Sequence, residues 1–119
     1  MIELLSDIVV GLVAVIHLAF MALEMFLWDK PPGLKVFRQT PEQAAATRVL
    51  AANQGLYNGF LAAGLFWGLM PSVYASDIKI FFLSCIIIAG AYGAITASHR
   101  ILAVQAAPAA LGLVLVLLS

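Results

Sequence analysis

Four apolar tracts, at about residues 4–28, 41–70, 77–98 and 101–118, take up almost the whole chain, with short polar breaks between them. At about 1.5 Å of helix rise per residue, the first three are long enough to cross a hydrocarbon core of about 30 Å. The last has 18 residues and reaches about 27 Å, a marginal but sufficient length. Hydrophobic residues make up 64% of the 119 positions and charged residues 10%, against roughly 25% charged in soluble domains. The mean hydropathy is +1.07. A soluble fold of this size has no interior large enough for so much apolar surface. The expected fold is therefore all-α: an integral membrane four-helix bundle, one transmembrane domain over residues 1–119, with lipid as its solvent.

The breaks mark the helix ends. In the segment from Asp29 to Thr40, Pro31, Pro32 and Gly33 interrupt the helix and charges gather, which predicts the main extramembrane loop. Thr40 as N-cap and Pro41 at the first helical position start the second span. Pro71 and Ser72 open a short turn, Ser76 with Asp77 caps the third span, and His99 and Arg100 mark the next turn. Pro108 is expected to kink the last helix. Connections this short make consecutive helices antiparallel neighbours. The first tract does not read as a removable signal, because it begins with Glu3 and Asp7 and ends in MALEMFLW rather than at a small-residue cleavage site.

Charge sets the orientation. Lys30, Lys35, Arg38, Arg48 and Arg100 lie at the first and third connections, and Lys79 alone lies on the other side. Retention of basic residues on the cytoplasmic face places the chain in the cell inner membrane with both termini non-cytoplasmic. Six basic and six acidic residues cancel, which excludes nucleic acid as a partner for want of phosphate-neutralising surface. A single cysteine, Cys85, excludes an intramolecular disulfide and any CxxC motif; within its apolar span it reads as a core thiol.

Polar groups in lipid are expensive unless paired, so those inside the spans are the candidate functional residues. His17 and Glu24 are seven residues apart, which returns to nearly the same helix face about 10 Å along the axis. In the second span Arg48, Asn53, Gln54, Tyr57 and Asn58 form a densely polar segment, with Asn53/Tyr57 and Gln54/Asn58 at i, i+4. Counted from the loop, Glu24 and Arg48 fall at similar depth, where their charges would cancel. Tyr92 and Thr96 on the third span and Gln105 on the fourth approach the same side. The polar set thus gathers in the inner half of the bilayer and predicts a pocket open to the cytoplasm or inner leaflet. It argues against a continuous pore. A metal needs three or four ligands, and with His17, Glu24 and a distant His99 on offer none is expected. Trp28 and Trp67 read as belt or packing residues, and the amides also serve the plainer purpose of interhelical hydrogen bonding. Gly55/Gly59 and Gly64/Gly68 give two GxxxG spacings, which permit close helix approach inside or between subunits. The small bundle leads to an expected homo-oligomer.

The strings IHLAFMALEMFLW, NQGLYNGFLAAGLFWGL and AGAYGAITASHRILAVQAAPAALGLVLVLL resemble a family of small bacterial membrane proteins known as domain of unknown function thirteen-oh-four. That resemblance covers essentially the whole chain and implies no activity. A second, weaker resemblance is carried by Arg48 to Leu69, RVLAANQGLYNGFLAAGLFWGL, which is similar to the second helix of the membrane-associated eicosanoid and glutathione metabolism proteins. Arg48 and Ala52 stand where that family's pattern has them, whereas Thr47, Gly55 and Asn58 depart from it. This resemblance implies four spans, outward termini, a trimer, and a cytoplasm-facing glutathione site between subunits.

Three function classes follow. The leading expectation is an inner-leaflet polar pocket that binds or transforms a small lipophilic molecule. Glu24 and His17 would act there as acid/base or anchoring groups, and Arg48, Asn53, Gln54, Tyr57, Asn58, Tyr92 and Gln105 would contact the ligand. The alternatives are a small proton-coupled transporter and a structural or accessory membrane subunit.

Overall fold

A computed structural model describes residues 1–119, the side chains of Ile101 and Leu102 excepted. Five helices follow one another: α1 (Ile2–Met25), α2 (Pro31–Phe37), α3 (Pro41–Leu69), α4 (Ala75–Thr96) and α5 (His99–Leu118). Among the described residues there is no strand. By length and composition, α1 and α4 are sufficient to cross a membrane, and α5 contains the shorter apolar stretch Ala103–Leu118. Among the described residues the architecture is thus all-α, and two of the helices meet the spanning requirement by length and composition. In α3 the lower hydropathy has a local cause: Arg48, Asn53, Gln54 and Asn58 interrupt its apolar stretches, and Glu42 and Gln43 occupy its first turn.

The helix ends depart from expectation in three places. The helix α1 stops at Met25, three residues before Trp28, and a turn follows. The supposed loop contains α2, because Pro31 and Pro32 occupy its first positions, where a missing N–H costs nothing and the fixed φ suits a helix. It ends at Arg38 in the left-handed conformation (φ 53°, ψ 50°), with the Arg38 N–H bonded to the Leu34 carbonyl. The helix α4 starts at Ala75 with Tyr74 at the N-cap and no side-chain cap, so Ser76 and Asp77 lie inside its first turn. Asp77 there still complements the positive end of the helix dipole. Pro108 is accommodated within the continuous α5, and the side chain of Ile101, the expected start of that span, lies outside the described residues.

The start of α3 matches the expected cap and extends it. Thr40 Oγ1 accepts from the Gln43 N–H at 3.2 Å, and Gln43 Oε1 accepts from the Thr40 N–H at 3.0 Å. This reciprocal capping box satisfies two orphan donors at once.

The chain packs as two units, one of Met1–Ile16 with Leu61–Ser119 and the other of His17–Phe60. The first holds an apolar core of Val10, Val13, Ala14, Leu65, Leu83, Ile86, Ala109 and Val116. Gly64 lies against the Phe82 ring, and a Cβ on Gly68 would lie 2.6 Å from Lys79 Cγ and 3.2 Å from its backbone nitrogen. Lys79 Nζ reaches Asp7 Oδ1 at 3.3 Å, so α1 and α4 begin at the same end of this unit. Cys85 is half-buried rather than enclosed in the core.

In the second unit α2 folds back over the end of α1. The Phe37 ring lies 6.3 Å from Phe20 and 4.7 Å from Trp28. Gly33 is buried, and a Cβ there would meet backbone on contact, 2.8 Å from the Leu27 carbonyl carbon and 2.9 Å from Trp28 Cα. Glycine at 33 is thus a close-approach residue within a helix, not a helix breaker.

Candidate functional site

Four polar or charged residues are buried among the described residues: Ser6, His17, Glu24 and Asn58. Three of them belong to the His17–Phe60 unit. Burial of such groups requires partners, and Glu24 has one across the helix pair: Asn58 Nδ2 donates to Glu24 Oε1. Small residues of α3 make that bond geometrically accessible. A Cβ on Gly55 would lie 3.0 Å from Glu24 Cβ and 3.1 Å from the Met21 carbonyl oxygen, and one on Gly59 would lie 2.7 Å from Met21 Sδ. The Gly55/Gly59 spacing is therefore used inside the chain, where it lets α3 approach α1 closely enough for a short amide to reach the carboxylate.

Next to Glu24 is a cavity of about 260 Å³. Its polar lining is Glu24, Trp28, Gln39, Thr47 and Gln54, and Leu50 and Ala51 supply the apolar part. A hydrogen-bonded relay holds one wall. Trp28 Nε1–H donates to Thr47 Oγ1 at 3.1 Å, and the Thr47 hydroxyl donates to the Gln43 carbonyl at 2.9 Å. Gln43 is in turn fixed by the capping box with Thr40. The Trp28 ring is thereby tied at its edge to Thr47, and Phe37 lies tilted against it at 47°. Gln39 reaches the lining through the left-handed turn at Arg38, with its own N–H on the Leu34 carbonyl at 3.0 Å. Its Oε1 is buried and has no hydrogen-bond partner.

The expected site residues divide on this geometry. Glu24 and Gln54 line the cavity, and Asn58 anchors Glu24 from behind. His17 is buried, with its ring edge-on to Phe20 at 6.2 Å, and is not part of the lining. Arg48 does not neutralise Glu24: it is exposed and pairs with Asp29 at 3.9 Å, a contact worth about 0–1 kcal/mol. Asn53 is exposed and returns its amide to the Val49 carbonyl of its own helix at 2.9 Å. Tyr57 is exposed, with its ring edge against Phe60. Tyr92 and Gln105 belong to the other unit, Tyr92 exposed and Gln105 half-buried. Trp28, Gln39 and Thr47 were not legible as site residues, although TPEQAAAT at 40–47 does carry the capping-box pattern that fixes Thr47. No group of three or more potential metal ligands occurs among the described residues.

Comparison with known proteins gives a consistent but functionally silent answer. A family profile described as "Protein of unknown function (DUF1304)" matches residues 11–117. The chain is similar to "Uncharacterized protein YpaA" of Lactococcus lactis subsp. lactis (strain IL1403), with 30% identity over 113 residues, covering 93% of this chain and 95% of the relative. No solved structure gives a significant match.

Proposed function

The chain belongs to the family of proteins of unknown function DUF1304, and from that premise we propose that it is a multi-pass membrane protein whose His17–Phe60 unit binds a small amphiphilic molecule. The observation that carries this reading is the Glu24 carboxylate, buried, held by Asn58, and forming part of the wall of a 260 Å³ cavity. A carboxyl group is rarely kept at such a place for stability alone, since a buried polar pair is often replaceable by apolar side chains at no loss.

In this reading α1, α3, α4 and α5 all cross the inner membrane. At about 1.5 Å per residue, α3 and α5 extend roughly 43 and 30 Å, and the buried amide of α3, Asn58, is met within the chain. Lys30, Lys35, Arg38 and Arg48 all lie within the cavity unit, which favours a cavity toward the cytoplasmic leaflet with both termini outside. Assembly into a homo-oligomer, with a trimer favoured, belongs to the proposal. It requires a surface other than the glycine ridge of α3, which contacts Met21, Met25, Phe82 and Lys79 of the same chain.

Native mass spectrometry in mild detergent tests the reading. Wild-type protein is expected to retain a small molecule that Glu24→Gln loses while keeping the same subunit number. Identical spectra, with no retained mass in either, would sink it.

A further inference from the structure

We propose that the cavity beside Glu24 is a receptor for an ammonium group, and that its ligand is an amphiphilic amine, carried either by a lipid headgroup or by a free alkylamine. This rests on the reading above, that the cavity binds a small amphiphile, and specifies the chemistry it selects. The lining is rich in acceptors. Glu24 offers a carboxylate with one oxygen already committed to Asn58. Gln39 presents a buried Oε1 with no partner, and an orphaned buried acceptor calls for a donor. Gln54 adds a side-chain amide to the wall.

Two of the donors are committed, and the only others in the lining are the neutral N–H groups of the Gln39 and Gln54 amides. Trp28 Nε1–H is given to Thr47, and the Thr47 hydroxyl to the Gln43 carbonyl. No lysine or arginine lines the cavity, and the nearby Arg48 is paired with Asp29. What Trp28 still offers is its indole π-system, which attracts a cation and has no comparable affinity for an anion. Leu50 and Ala51 complete the wall with apolar surface suited to the first carbons of an alkyl chain. A volume of 260 Å³ equals roughly nine waters at about 30 Å³ each, room for an aminoethyl group and a few methylenes but not for a whole lipid. An anionic or strongly carboxylated ligand, glutathione included, finds the Glu24 carboxyl and no basic side chain in that lining.

The test uses the full chain carrying Trp67→Phe, so that Trp28 is the sole indole, in nanodiscs of phosphatidylglycerol. Decylamine, decanol and decyl sulfate are titrated against Trp28 fluorescence. Saturable binding of decylamine at least tenfold tighter than of the other two, weakened at least tenfold by Glu24→Gln, is the expected result. Gln39→Leu, which leaves the charge in place, is expected to weaken it severalfold. Adding phosphatidylethanolamine to the nanodiscs separates the sources: competition with decylamine assigns a lipid headgroup, and its absence assigns a free amine. Equal binding of all three probes, or preference for decyl sulfate, overturns the ammonium assignment and leaves the amphiphile reading standing. No saturable binding of any probe, together with no retained mass in native spectra, overturns both.

Discussion

Trp28 donates its indole N–H to Thr47 Oγ1 at 3.1 Å, which ties the turn after α1 to the second turn of α3. Thr47→Val keeps the shape of the side chain and removes the acceptor. A partly buried donor left without a partner costs about 1–3 kcal/mol, and the lower end is expected because the pair is only half-buried. Denaturant titration of the purified protein should register the loss, and Trp28 emission should shift to the red as its ring is released.

Gly33 and Trp28 are in backbone contact, so Gly33→Ala has no flexible side chain to push aside. The new methyl would press on the Leu27 carbonyl and Trp28 Cα and force α2 away from the end of α1. Overpacking of this kind costs about 1–3 kcal/mol. Thermal unfolding followed by circular dichroism is expected to show a clearly lowered midpoint. An unchanged midpoint would mean that α2 is not seated where Gly33 places it.

These two contacts also show what the sequence discloses and what it withholds. The start of α3 is readable because Thr40, Pro41 and Gln43 act through bonds three residues long. Apolar length likewise exposes α1 and α4. Pro31, Pro32 and Gly33 mislead, since the same residues that break a helix interior suit its first turn and a backbone contact. Within the polar segment of α3, Asn53 and Asn58 are five residues apart, which at about 100° per residue sets them roughly 140° apart on the helix. Asn53 and Asn58 therefore cannot both face Glu24, and the geometry decides for Asn58. Depth counted from the loop suggests Arg48 as the partner of Glu24, but Gly55 abuts Glu24 and Arg48 lies seven residues before it, on nearly the same face yet about 10 Å along the axis, where it meets Asp29 instead. Trp28, Gln39 and Thr47 stay hidden because they meet only after α2 folds back, a tertiary event with no periodic trace.

Asp7 and Lys79 pair at one end of their unit, whereas the other basic residues are placed by sequence at the first and third connections. The positive-inside rule then predicts that a periplasmic reporter fused after Ser119 is active and a cytoplasmic one is not. A cysteine introduced at Lys35 should be protected from a membrane-impermeant thiol reagent in intact cells and labelled after permeabilisation. Labelling in intact cells would reverse the proposed orientation and place the cavity in the outer leaflet.

The Glu24–Asn58 pair separates a structural role from a binding one by a double-mutant cycle. Asn58→Leu strands the carboxylate among Met21, Met25 and the glycines of α3, and should destabilise by about 1–3 kcal/mol or more. Glu24→Gln keeps an acceptor for Asn58 and is expected to stay within about 1 kcal/mol of wild type. Replacing both residues by leucine removes donor and acceptor together, and such paired replacement is often neutral or stabilising. The double variant should therefore recover most of the stability that Asn58→Leu loses, a coupling measurable by reversible unfolding in mixed detergent. Binding follows a different order. If the carboxylate serves a ligand, the well-folded Glu24→Gln and the double leucine variant are equally inactive in ligand retention, so that stability and binding diverge in the same set of proteins. Retention of ligand by the double variant would show that the pair only holds α1 to α3.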